Sequence, residues 1–221
     1  MNGFDIHACD DWLTCQLKSL DTVHAASAVV RKQEMWLEVV SGLDSIAVQF
    51  DPARITPVEA INLFREHLSK PQTSRGTLAA PITIPICYEE EFAPDRQWIA
   101  QKMGLTVEAL IEWHSALQCT VTMLGFMPGF AYLQCGEDVT EIGRLPKPRQ
   151  QVSAGSIGII GNQSCIYSFN SPGGWPIVGR TPFTLFDPAK DEPALLSANQ
   201  NISFRSISRS EFDAISRELS R

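Results

Sequence analysis

The chain has 221 residues, 44% of them hydrophobic and 19% charged, with a formal net charge of -7. It is long enough for one large or two modest domains and apolar enough to bury a core, which excludes a compositionally disordered protein. The acidic balance argues against nucleic acid or an anionic membrane surface as the main partner, because both repel it at long range.

The opening MNGFDIHACDDW places Asp5, Asp10 and Asp11 where a signal peptide needs a basic start and an apolar run. No stretch approaches the roughly 18 apolar residues of a membrane span, so no membrane association and a cytoplasmic location are expected. The six cysteines (Cys9, Cys15, Cys87, Cys119, Cys135 and Cys165) are scattered, with no close pair at metal-ligand spacing. They are expected to be reduced thiols acting as small hydrophobes, and no metal is expected.

The elements then follow in order. Residues 11–17 read as a strand, 22–33 as an Ala-rich helix and 36–40 as a second strand. In 45–50, Ile46, Val48 and Phe50 alternate as in a half-buried strand. Thr56, Pro57 and Glu59 spell a helix start: a hydroxyl cap, a residue without N–H at the first position, and a carboxylate that completes a capping box. Val58, Ile61, Phe64 and Leu68 form the predicted buried stripe of that helix. Strand, helix, strand, strand, helix is the order of a small sheet covered on one side, so residues 1–75 are read as a ferredoxin-like α+β domain. The polar, turn-rich segment 70–80 is the predicted linker.

A second domain is placed at 80–208. It begins with the extended run ITIPICY (82–88), followed by a helix after Pro94 that ends at Gly104 and another that Thr106 caps. Beyond residue 118 come short runs broken by Gly and Pro: TVTML, SIGII, CIYSF, PFTLF and NISFR. Short strands so regularly spaced predict a closed or nearly closed β-barrel. A helical tail at 209–221 carries Phe212, Ile215 and Leu219 on one side.

Three clusters can carry chemistry. In GFMPGFAYL (125–133), Phe126, Pro128, Gly129, Phe130 and Tyr132 make either a stiff aromatic binding wall or a packed loop. In 143–167, Arg144, Lys147 and Arg149 form the most basic short stretch, and guanidinium groups suit carboxylates and phosphates. Beside them, Gly155 and Ser156 can offer backbone N–H groups as an anion nest, and Tyr167 closes the segment. In NSPGGWPIVGRTP (170–182), Ser171, Gly173 and Gly174 specify an exposed turn, followed by Trp175 and Arg180. His114, at a helix end, reads either as a cationic C-terminal cap or as a general acid–base group.

These motifs together resemble the family that contains the B subunit of bacterial 5-oxoprolinase and the kinase inhibitor KipI, also known as allophanate hydrolase subunit 1, and related to the carboxyltransferase portion of urea carboxylase. The resemblance runs from Ile82 to about Ile207 through IPICYEEEFAPD, WHS (113–115), GFMPGFAYL, the paired Arg144 and Arg149, AGSIGI, SPGGW and GRTPFTLFDP. The chain departs from the family pattern at Cys119, at Ser153, at Ser164-Cys165 and at Ala198-Asn199-Gln200, the last standing where the family has Pro-Gly-Asp.

The resemblance implies a ferredoxin-like domain followed by a cyclophilin-like β-barrel. It implies ATP as co-substrate of the complex. Its partners in opening the lactam of 5-oxoproline to glutamate would be the KipA-type C subunit of the oxoprolinase and the A subunit. Arg144, Arg149 and Arg180 would hold phosphate or carboxylate charge, His114 would move a proton, and the Gly/Pro loops would line a cavity shared with the partner. The alternative it implies is a KipI-type regulator whose partner is a sensor histidine kinase.

Overall fold

The structure is a computed structural model that describes residues 4–70, 79–136 and 142–219. The chain divides into two compact units, Met1–Leu78 and Ala79–Arg221. The predicted linker at 70–80 lies mostly outside the described residues.

The first unit contains β1 (Ile6–Cys9), β2 (Trp12–Gln16), α1 (Leu20–Val30), β3 (Glu38–Ser41), β4 (Ser45–Gln49) and α2 (Pro57–Ser69). Its sheet has the order β1-β2-β4-β3, antiparallel throughout. The predicted strand, helix, strand, strand, helix series is present, with β1 added as an edge strand that local sequence pattern does not reveal. The capping box forms as expected: the Thr56 hydroxyl accepts the Glu59 N–H, and the Glu59 carboxylate accepts the Thr56 N–H at 2.8 Å. The predicted stripe of α2 holds at Phe64 and Leu68, with Ile61 packed against the core, and fails at Val58. Val58 is 67% exposed, and Ala60, Phe64, His67 and Leu68 face the core with Leu13, Ile46, Val48 and Phe50. Val58 sits in the first turn, ahead of the face that meets the sheet.

The second unit runs β5 (Ile82–Cys87), α3 (Arg96–Met103), α4 (Val107–Ala116), β6 (Gln118–Leu124), β7 (Ala131–Cys135), β8 (Arg149–Val152), β9 (Ser156–Ile160), β10 (Gln163–Ile166), β11 (Ser171–Gly173), β12 (Ile177–Arg180), β13 (Asn201–Ile207) and α5 (Arg209–Leu219). Seven strands close a barrel in the order β10-β7-β6-β13-β5-β12-β9, while β8 and β11 pair separately as a two-stranded sheet. The β13–β5 pair is parallel. Ile84, Ile86, Val121, Leu133, Ile157 and Ile166 fill the core, with Ile99 and Leu110 from α3 and α4 joining them.

Several local expectations are corrected. PFTLF (182–186) is irregular apart from a single bridge between Phe186 and Ala194, and β12 takes its place in the barrel. The AYLQC run within and after the aromatic motif is a barrel strand, β7.

Cys119 and Cys135 are not free thiols: they are joined by a disulfide. They stand directly opposite each other on β6 and β7, with Cα atoms 4.2 Å apart. The Cys135 N–H turns away to the Asn162 carbonyl, so this is the close, non-hydrogen-bonded kind of pair. The other four cysteines are free.

Asn199 adopts φ 65°, a left-handed conformation that Asn tolerates better than most side chains, at the position of the family's glycine. Its neighbour Gln200 then closes the turn into β13, accepting the Ser197 N–H and donating to the Ala80 carbonyl.

The tail helix α5 packs on this unit: Phe212 is buried and stacks on Phe92 with ring centroids 4.4 Å apart, and Ile215 joins the same cluster. Leu219, expected on that face, is 51% exposed. Phe212→Ala is expected to cost about 3 kcal/mol through the lost burial and the cavity left against Phe92. Urea denaturation of the wild type and variant measures it.

Candidate functional site

The 89–95 loop makes a turn in which the Glu89 carbonyl accepts the Phe92 and Ala93 N–H groups, each at 2.8 Å. That turn delivers Asp95 to the N-cap position of α3, but the carboxylate does not cap its own helix. One oxygen accepts Arg149 Nη2 at 2.7 Å and the other accepts the Ile177 N–H at 2.7 Å. Asp95 therefore joins α3, β8 and β12, and it is buried. Arg149 retains a buried Nη1 with no protein acceptor.

Above this junction lies a cleft of about 140 Å³, lined by Arg149, Arg180, Ser156, Glu91, Phe92 and Ile177 among others. Arg180 donates from Nε to the Ala154 carbonyl at 2.8 Å, and its guanidinium lies 5.6 Å from the Phe92 ring centroid. Burial pulls its pKa down, the Glu91 carboxylate opposes that, and Arg209 adds to it. On the same Phe92 ring, Arg209 from α5 stands 4.6 Å from the centroid, paired with Glu91 and with Asp213.

The predicted site residues divide into three groups. Arg149, Arg180 and Ser156 share the cleft. Arg144 does not join them: it is exposed, and its charge acts on Tyr132, Cys165 and Tyr167, whose pKa values burial pushes up. Of the three arginines expected to hold phosphate or carboxylate charge, Arg149 and Arg180 line the cleft and Arg144 does not.

The expected anion nest is occupied from within. The Ala154 N–H goes to Asn170 Oδ1, Gly155 N–H to the Tyr167 carbonyl and Ser156 N–H to the Ser153 carbonyl. Gly155 (φ 81°) is needed for a different reason: a Cβ there would meet the Thr181 carbonyl oxygen at 2.3 Å.

The aromatic motif is largely packing. Phe130 is buried against Tyr132, Tyr167 and Trp175, and Gly129 (φ 73°) lets the chain pass close to Leu185 and Phe186. Pro128 is exposed, as is Phe126, which is 66% exposed in a left-handed backbone conformation (φ 71°). Ser171 and Gly173 are not an exposed turn but part of β11, whose pairing with β8 sets Gly173 opposite Arg149. Gly174 receives the Leu145 N–H on its carbonyl, and Trp175 is buried as an anchor.

His114 stands elsewhere. Fully buried, it stacks on Phe204 at 4.8 Å and shares a 2.8 Å hydrogen bond between Nδ1 and the Tyr88 hydroxyl. Burial lowers its pKa to about 3, so the ring is neutral at ordinary pH and is not a cationic cap.

Asp95, Glu91 and Phe92 are site residues that the sequence alone does not single out. Pro94-Asp95 before a helix marks a cap, and the side chain's actual partners are distant in sequence.

The sequence profile of the family described as carboxyltransferase domain, subdomain C and D, matches residues 9–196. The B subunit of 5-oxoprolinase from Bacillus subtilis (strain 168) is 32% identical over 89% of this chain and 87% of its own length. That of Escherichia coli O157:H7 is 33% identical over 76% of this chain and 77% of its own. Among solved structures, the conserved uncharacterized protein PH0987 from Pyrococcus horikoshii is similar with a TM-score of 0.58 and 34% identity, covering 94% of this chain and all (100%) of that one.

The junction and the buried histidine each make a measurable prediction. Asp95→Asn removes the charge that Arg149 pairs with and is expected to lower stability by about 2 kcal/mol, read from urea denaturation. His114 binds its proton less readily folded than unfolded. Its stabilisation is therefore present above pH about 6.5 and is lost as pH falls toward about 3. Between pH 6.5 and 5 the loss is about 2 kcal/mol. His67 titrates in the same direction, so the difference between wild type and His114→Gln isolates this ring. The variant's pH slope should be flatter by that amount.

Proposed function

Because the chain belongs to the carboxyltransferase subdomain C and D family, we propose that it is the B-type subunit of a 5-oxoprolinase. The reaction is the opening of the 5-oxoproline lactam to glutamate at the expense of ATP, and the partners are the KipA-type C subunit of that enzyme and its A subunit. The names of the Bacillus and Escherichia relatives support this reading. The observation that carries it is the Arg149 guanidinium, fixed on Asp95 through Nη2 while Nη1 has no protein acceptor.

Amide resonance makes a lactam carbonyl unreactive, so positioning matters more here than for an ester. A guanidinium already locked in place can donate to an anionic substrate group and fix the ring relative to an attacking group without reorganising. Arg180 lines the same cleft, and its Nε is committed to Ala154, which sets the direction of the remaining nitrogens. No phosphate cradle accompanies them, because the N–H groups of 154–156 are bonded internally. ATP is therefore assigned to a partner chain, and no proton transfer is assigned to His114, sealed in its core.

A second reading, a KipI-type regulator of a sensor histidine kinase, draws on Phe126. A large apolar side chain held out in a strained conformation is a feature of protein-contact surfaces. Kinase co-purification that Phe126→Ser abolishes would favour it.

In the assembled complex, Arg149→Ala is expected to reduce oxoproline-dependent ATP hydrolysis by about 100-fold or more. Co-purification of the subunits should be unaffected. Unchanged turnover refutes the assignment.

A further inference from the structure

We infer that the Arg149–Arg180 cleft seats a single carboxylate of a small organic acid and does not hold nucleotide phosphates, an inference that rests on reading the cleft as the substrate site of the proposed oxoprolinase.

Charge balance is the first argument. Around the cleft, Arg149, Arg180 and Arg209 stand against Glu91, Asp95 and Asp213. The cations are matched by anions already in place: Asp95 holds Arg149, while Glu91 and Asp213 hold Arg209. A triphosphate would bring several negative charges into a neutral neighbourhood, with Glu91 on the lining to repel them. One carboxylate needs no such excess. It needs donors, and two guanidinium groups line the cleft: Arg149, whose Nη1 has no protein acceptor, and Arg180, held by its Nε on the Ala154 carbonyl.

Size and lining point the same way. At about 140 Å³ the cleft is well below the roughly 300–1,000 Å³ of pockets that take drug-sized ligands. Phe92, Pro94, Val152 and Ile177 give it an apolar side suited to the hydrocarbon part of a compact acid. Phosphate sites usually borrow backbone N–H groups, and the glycine segment next to Arg180 has none to lend.

Arg149, Arg180 and the other lining residues named above belong to this chain, so the purified protein can be titrated directly. Ligand-observed NMR titration with two acid and amide pairs, 5-oxoproline with 5-oxoprolinamide and cyclopentanecarboxylate with its amide, measures what the carboxylate contributes. The acid is expected to bind at least about ten-fold tighter than its amide. Arg180→Gln should erase that preference, and a non-hydrolysable ATP analogue should not displace the acid. Equal binding of acid and amide in the wild type overturns the inference without needing any variant to fold. So does displacement by the ATP analogue, a preference that survives in a folded Arg180→Gln, or no acid binding up to about 10 mM.

The two readings can fail separately. A preference for cyclopentanecarboxylate over its amide, with no binding of 5-oxoproline, sinks the oxoprolinase assignment and leaves the carboxylate site standing. Oxoproline-dependent turnover whose KM is unchanged by Arg180→Gln does the reverse.

Discussion

Asp95 accepts the Arg149 guanidinium on one oxygen and the Ile177 N–H on the other, tying the start of α3 to the two-stranded sheet and to the barrel wall. Taking a carboxylate out of water costs several kcal/mol unless its lone pairs are satisfied. Here both oxygens are engaged, and its own backbone N–H bonds back to the Ile177 carbonyl at 3.3 Å. The contact is thus reciprocal and short-ranged, leaving little freedom for β8 to slide. Because Gly173 lies opposite Arg149 in the β8–β11 pair, the placement of the SPGG segment follows from the same junction.

Phe92 does for the other wall what Asp95 does for the floor. Arg180 and Arg209 both lie close to its ring, and Phe212 stacks on it. A guanidinium near an aromatic face loses part of its hydration but gains the attraction of the ring quadrupole, so its plane stays ordered. The last helix of the chain is therefore part of the cleft's construction although none of its residues lines the cleft.

What was legible in the sequence was local. Thr56, Pro57 and Glu59 announce α2 because a capping box needs only neighbours, and the alternation of Ile46, Val48 and Phe50 announces β4 for the same reason. Arg149 and Arg180 could be singled out by the chemistry of guanidinium groups. Asp95 could not be joined to them, since it lies 54 residues before Arg149 and its local signal is that of a helix cap. The nest at 154–156 looked open because nothing local reveals that Asn170 and Tyr167 return to occupy its N–H groups. Likewise, the opposition of Cys119 and Cys135 depends on the β6–β7 register, and β7 was hidden inside a motif that reads as a loop. PFTLF has strand-like residues, but the close approach of Gly129 to Leu185 and Phe186 fits it to the motif above and away from a ladder.

The parallel pairing of β13 with β5 has a consequence for biosynthesis. Thr83 meets Ser203 across 120 residues, and β13 fills the gap between β5 and β6. On a ribosome, the strands between them can emerge and form hairpins, yet the cylinder stays open until β13 clears the exit tunnel. Such long-range closure is slow compared with hairpin formation, and the exposed edges of β5 and β6 are open to pairing with other chains in the interval. A nascent chain that stalls before residue 201 would carry those edges into the cell, where a chaperone must cover them.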